Sequence, residues 1–229
     1  MVGSSQRPTV AVLFRGNQHV RDVFFSTADG GRKLTSGVVE QVADMGVRLE
    51  AVVEPCSGIA SFRQALEGGV ERGDTAVFGL EPGVVVISLE SDLTGAATPD
   101  WGQFGANLSE VVQRLKGLGI HVLVLTASTV APGEVVSGFA GRQTEPQVLR
   151  AHRANLAALE QSHLEGISII DADRIVAELG GDRHVTGFLD YSVTVCEHLR
   201  DELIAVLADY GFLDDRAIMP QTGRNSAAS

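Results

Sequence analysis

Five short apolar runs, with helix-period segments between them, constrain this chain more than any other feature. They are Thr9–Phe14, Val47–Val53, Gly83–Leu89, Ile120–Leu125 and Ile167–Ile170. A strand covered by helices on both faces loses the polar alternation of a half-exposed one, so such runs read as buried parallel strands. Ser36–Met45 between them has a helical pattern, and Trp101–Leu118 places Leu108, Val111, Val112 and Leu115 on one face. Pro146–Leu164 puts Leu149, Leu156 and Leu159 on a stripe, the apolar face of such a helix. A last helix at about Ser192–Tyr210 carries Val195, Leu199, Leu203, Ile204 and Leu207 at helical spacing. Asp173 is expected to cap Arg174–Leu179, with Gly180-Gly181 as its stop. This alternation predicts a flavodoxin-like, doubly wound α/β domain, a mainly parallel five-stranded sheet between helices. Residues 9–216 are expected to form that single domain, with 1–8 and 217–229 as disordered tails.

Composition excludes several classes of function. With 44% hydrophobic residues among 229, the chain has enough apolar matter for a core. A net charge of −11 without a basic stripe argues against nucleic acid as a partner. No apolar run reaches the ~20 residues of a membrane span. The opening Met1-Val-Gly-Ser-Ser-Gln-Arg-Pro8 lacks the apolar stretch of a secretion signal, so a cytoplasmic location is expected. Cys56 and Cys196 have neither metal spacing nor a disulfide framework. No glycine-rich phosphate or dinucleotide loop is present, so no cofactor and no metal are expected. The expected partner is a small-molecule substrate, with a homodimer left open.

In open α/β sheets the ligand crevice lies outside the carboxyl ends of the strands, at the topological switch point. That rule selects Arg15-Gly-Asn-Gln-His-Val-Arg-Asp22 after the first strand and Glu54-Pro-Cys-Ser-Gly58 after the second. It also selects Glu90-Ser-Asp-Leu-Thr-Gly95, Thr126-Ala-Ser-Thr129, and the stretch holding Asp171, Asp173, His184 and Asp190.

These loops resemble the SGNH, or GDSL-type, hydrolases over roughly residues 9–210, with all four signature blocks altered. Gly16-Asn17-Gln18 stands where the family has Gly-Asp-Ser, so the nucleophilic serine corresponds to Gln18. Cys56-Ser-Gly-Ile-Ala-Ser61 lies where a second block supplies a glycine, and Gly58 matches it. Leu89-Glu90-Ser91-Asp92 is similar to Gly-x-Asn-Asp, with the glycine now Leu89, the asparagine now Ser91, and Asp92 kept. Gly187-Phe-Leu-Asp-Tyr-Ser192 occupies the place of Asp-x-x-His, without the acid or the base. The opening also resembles a branch reading Gly-Ser-Cys-Val-x-Arg-Asp, in which Arg21 and Asp22 match and the cysteine is again Gln18. The resemblance implies a fold and a pocket location, while the ester-hydrolysing triad does not carry over.

A glutamine amide is no useful nucleophile, so Gln18 is expected to bind or polarise rather than attack. The atypical enzyme that these residues describe acts on a small acyl- or carbonyl-bearing metabolite by non-covalent acid–base chemistry. Two carboxylates ending a central apolar strand are costly unless paired or used, which singles out Glu90 and Asp92 as proton carriers. His19 and His184 are alternative bases. Asn17, Gln18 and the backbone N–H of Gly58, beside Ser57, are expected to polarise a carbonyl oxygen. Arg21, Ser91 and Asp190 complete the expected binding set, although Arg21–Asp22 also reads as a local pair and Asp190 as a helix cap. Cys56 qualifies as a replacement nucleophile only where a positive neighbour lowers its pKa. The alternative to an enzyme is a catalytically silent relative that binds a ligand or partner in the same pocket.

Overall fold

The computed structural model of the chain describes residues 9–26, 34–68, 76–94, 98–130 and 145–214. Both expected tails, 1–8 and 217–229, lie outside the described residues. Every apolar run is a strand: β1 (Thr9–Arg15), β2 (Arg48–Glu54), β3 (Val84–Ser88), β4 (His121–Leu125) and β5 (Ser168–Ile170). They form one parallel sheet in the order β2-β1-β3-β4-β5. The order reverses between β1 and β3, which places the switch point beside the loops that follow those two strands.

Helices cover both faces. On one face lie α1 (Gln18–Phe24), α2 (Val38–Asp44), α8 (Ala172–Leu179) and α9 (Val193–Asp209). On the other are α3 (Ile59–Gly68), α4 (Ala76–Leu80), α5 (Glu90–Thr94), α6 (Trp101–Gly117) and α7 (Gln147–Glu165). Because side chains alternate along a strand, Val12, Phe14, Val84, Val86, Leu123 and Leu125 join the first core. Leu13, Val85, Ile87, Val122 and Val124 join the second. An antiparallel hairpin, β6 (Val185–Gly187) with β7 (Asp190–Tyr191), precedes α9.

Two expectations about helices are corrected. The cap of α8 is Asp171, whose carboxylate accepts the Arg174 N–H at 3.1 Å, and Asp173 sits within the first turn. The leucine stripe of α7 faces outward, with Leu149, Leu156 and Leu159 exposed, while Ala151, Ala154 and Ala158 are fully buried. Small side chains let α7 lie close against the sheet and α6, and that close approach decides the orientation. Among the described residues no helix is long and apolar enough to cross a membrane.

Candidate functional site

The loop after β1 is tied to those after β2 and β3 by one amide. Asn17 donates from Nδ2 to the Cys56 carbonyl at 3.0 Å and to Ser91 Oγ at 2.8 Å, and its Oδ1 accepts the Cys56 N–H at 3.3 Å. Ser91 Oγ in turn donates to the Cys56 carbonyl. Both ends of the Asn17 side chain are therefore engaged in holding three loops together. The expectation that it polarises a substrate carbonyl is not met, because its donors are already committed.

Each carboxylate of the pair caps a helix from a distance. Glu90 Oε2 accepts the backbone N–H of Asn17 at 3.1 Å and of His19 at 3.3 Å, at the start of α1. Asp92 accepts the Ile59 N–H with both oxygens, at 3.2 and 3.0 Å, at the start of α3. Orphan N–H groups at a helix start attract negative charge, so both contacts are favourable locally. Burial pushes the Asp92 carboxyl up to about 6, against the pull of the Ile59 N–H. Burial likewise raises Glu90, opposed by the Asn17 and His19 N–H groups and reinforced by the charge of Asp22. Gly58, next to Ile59, has φ of 122°, and a Cβ there would meet Asp92 Oδ1 at 2.8 Å. Only glycine suits both that backbone and that approach.

The remaining candidates separate. Gln18 is exposed and donates from Nε2 to Asp22 Oδ1 at 2.6 Å, one helical turn along. That bond occupies Asp22 in place of the expected Arg21–Asp22 pair, and Arg21 is half-buried. His19 is buried; its Nδ1 meets the Leu189 carbonyl at 2.9 Å, and its ring packs edge-on against Tyr191 at 5.4 Å between centroids. A carbonyl partner makes Nδ1 the donor, and the contact ties α1 to the β6–β7 hairpin. His184 lies at Ser192 Oγ (3.0 Å) and accepts from Arg183 Nε (3.2 Å), so its hydrogen bonds stay within the hairpin region. Asp190 accepts from Thr186 Oγ1 at 2.6 Å, and the cap of α9 is Ser192. Ser57 is exposed. Cys56 is buried and its thiol donates to the Gly58 carbonyl at 3.4 Å, which is the environment of an inert cysteine rather than a nucleophile.

Tyr191, in the stretch Gly187–Ser192, is a residue whose part in this edge the sequence alone does not reveal. It is buried, its oxygen accepts the Ser128 N–H at 2.9 Å, and burial pushes its hydroxyl well above the ordinary value. With His19 it joins the loops after β1 and β4 to the hairpin. A cleft of about 480 Å³ lies at the carboxyl ends of β4 and β5, walled by Leu156, Leu159 and Ala177 over Thr126, Asp171 and Asp173. Among the described residues no group of three His, Cys, Asp or Glu could hold a metal ion.

No protein family matches the chain by sequence, and neither does any curated protein. Solved structures do match. A lipase/acylhydrolase from Enterococcus faecalis is 16% identical with a TM-score of 0.59, covering 89% of this chain and 96% of its own. The acetyl xylan esterase AlAXEase is also 16% identical with a TM-score of 0.59, over 86% of this chain and 100% of its own. A catalytic mutant of an acetylxylan esterase from Geobacillus stearothermophilus is 14% identical with a TM-score of 0.58, over 90% and 96%. The fold is that of the SGNH hydrolases, as the signature-block resemblance implied.

Proposed function

We propose that this SGNH-fold chain has lost the acyl-enzyme route and uses the carboxyl edge of β1 and β3 to bind a small neutral or cationic molecule. One observation carries the proposal: the backbone donors at the starts of α1 and α3 already hold the chain's own carboxylates, Glu90 and Asp92. Such donors commonly serve an incoming anion or a developing oxyanion. Here an anionic ligand meets Glu90 and Asp92, with Asp22 adding to the charge around Glu90. A neutral or positively charged group meets no such barrier. The position of the family's nucleophile holds Gln18, turned toward Asp22, which supplies no attacking atom.

The test pairs two assays on the purified full chain. A fluorophosphonate probe and a p-nitrophenyl acetate assay are expected to give no labelling and no turnover above a heat-denatured control. Thermal-shift screening against matched amines, amides and carboxylates is expected to show stabilisation by amines or amides only. Serine-type labelling, or stabilisation by carboxylates alone, overturns the reading.

A second reading, acid–base turnover of the bound molecule, is favoured by Glu90. Its Oε1 takes no hydrogen bond from the described residues, and burial raises its pKa above the ordinary carboxylate value, the direction that favours a proton donor. Glu90→Gln keeps an acceptor for the Asn17 and His19 N–H groups. It is therefore expected to leave binding in place while lowering any turnover by roughly 10²–10⁴-fold. Equal turnover in both proteins removes Glu90 from the chemistry.

A further inference from the structure

The inverted α7 helix carries the strongest unassigned feature of the molecule. Its buried side is made of Ala151, Ala154 and Ala158, and its outer side exposes Leu149 by 39%, Leu156 by 52%, Leu159 by 48% and Leu164 by 65%. At 3.6 residues per turn, Leu149, Leu156 and Glu160 fall in the middle of the outer face, with Leu159 on one flank and Arg153 and Leu164 on the other. Leu156 and Leu159 also wall the cleft beside α8, so the face is bordered by a depression rather than by flat surface. Apolar side chains grouped in this way on one helix face mark an interaction site more often than scattered ones do.

We propose that the outer face of α7 pairs with the same face of a second copy of this chain, in an antiparallel crossing about a two-fold axis near Leu156. The argument for that occupant is self-complementarity. About the midpoint between Leu156 and Ala157, Leu149 and Leu164 are equally distant on opposite sides, and so are Arg153 and Glu160. An antiparallel two-fold pair therefore lays Leu149 against the partner's Leu164, sets Leu156 beside its own symmetry mate, and faces Arg153 with the partner's Glu160. Arg153 is steadied from within its own chain by Glu145 at 3.3 Å and by the Trp101 ring, 6.0 Å away. Glu160 is exposed and makes no hydrogen bond or ion pair within the described residues. A pair of opposite charges beside a leucine seam, repeated by the two-fold axis, favours the antiparallel orientation. An interface built around one helix is small, so the association is a concentration-dependent monomer–dimer equilibrium.

Sedimentation equilibrium of the full chain across the micromolar range tests the proposal. A dimer is expected, and Leu156→Glu, at an exposed position that leaves far-UV circular dichroism unchanged, is expected to weaken it by about tenfold or more. Glu160→Arg sets like charges face to face and weakens the dimer, while adding Arg153→Glu to it restores association. Leu156→Cys places two thiols near the axis and is expected to form an intermolecular disulfide on mild oxidation, since Cys56 and Cys196 are both buried. A strictly monomeric chain, a dimer indifferent to Leu156→Glu, or a Leu156→Cys protein that does not cross-link overturns the proposal.

Discussion

At the scale of single residues, Asn17 carries more of the sheet edge than any group expected to do chemistry. Its amide makes three hydrogen bonds to two other loops, so Asn17→Ala leaves the N–H of buried Cys56 without this partner and its carbonyl held by Ser91 alone. Urea unfolding is expected to show a loss of about 3 kcal/mol, since buried polar groups left unpaired cost more than a typical bond contributes. Asp92 gives a prediction of a different kind. Its folded pKa of about 6 lies above the ordinary 3.8, so the folded state binds this proton more tightly than the unfolded chain does. The stability it lends is complete below pH 3.8 and is lost as pH rises through 6. The urea midpoint is therefore expected to fall over that interval, with Glu90 contributing in the same direction. Asp92→Asn should flatten the fall by on the order of 3 kcal/mol while its amide oxygen still accepts the Ile59 N–H. An unchanged pH profile in that variant would show that the carboxyl titrates as an ordinary one.

Secondary-structure elements show best what the sequence could reveal and where it misled. All five strands, and the helices α2, α6, α7 and α9, lie within two residues of the positions read from apolar runs and periodicity. Those elements are long or deeply buried, so their pattern is strong. By contrast α4 and α5 span only five residues each, too short for a helical period to declare itself. Helix α7 misled for a physical reason: a leucine stripe normally faces the core, yet close helix packing selected the alanine side. The consequence is testable. Ala154→Leu is expected to overpack the buried side and cost about 1–3 kcal/mol, whereas Leu156→Ala is expected to change monomer stability by less than about 0.5 kcal/mol. Chemical denaturation of both variants, at a concentration where each is monomeric, checks the pair. The turn between β2 and α3 supplies a further case. Gly58→Ala adds a Cβ within 2.8 Å of Asp92 Oδ1 and on a left-handed backbone, so a loss of about 2 kcal/mol or more is expected. Thermal denaturation of that variant measures it.

For the whole molecule, two apolar cores share the same strands, back to back, and neither face can be lost without stripping the other of its support. A single cooperative transition is the expected result. Trp101, the one tryptophan, packs edge-on against Phe104 in the second core and reports on that side alone. Its fluorescence and the far-UV signal should therefore trace the same urea curve; two separate midpoints would show that the faces melt independently. The strand order fixes the switch point between β1 and β3, the edge where the general rule for such sheets expects a ligand. What each residue does was not legible. Glu90 and Asp92 end a central apolar strand, the ground for expecting acid–base work, and in three dimensions their oxygens accept from the starts of α1 and α3. His19 and His184 lie far apart in sequence and make separate sets of partners in the structure.

The contact between His19 and the Leu189 carbonyl spans 170 positions. A nascent chain emerges from the ribosome in order, so β1 and its polar loop are made long before the hairpin that receives His19. Throughout synthesis the imidazole lacks this partner, and the edge of the sheet nearest it stands open to whatever first meets the growing polypeptide. Completion of that wall is therefore among the last events of the molecule's own manufacture, and a translation product halted short of Leu189 would carry the strands of the sheet without a closed edge.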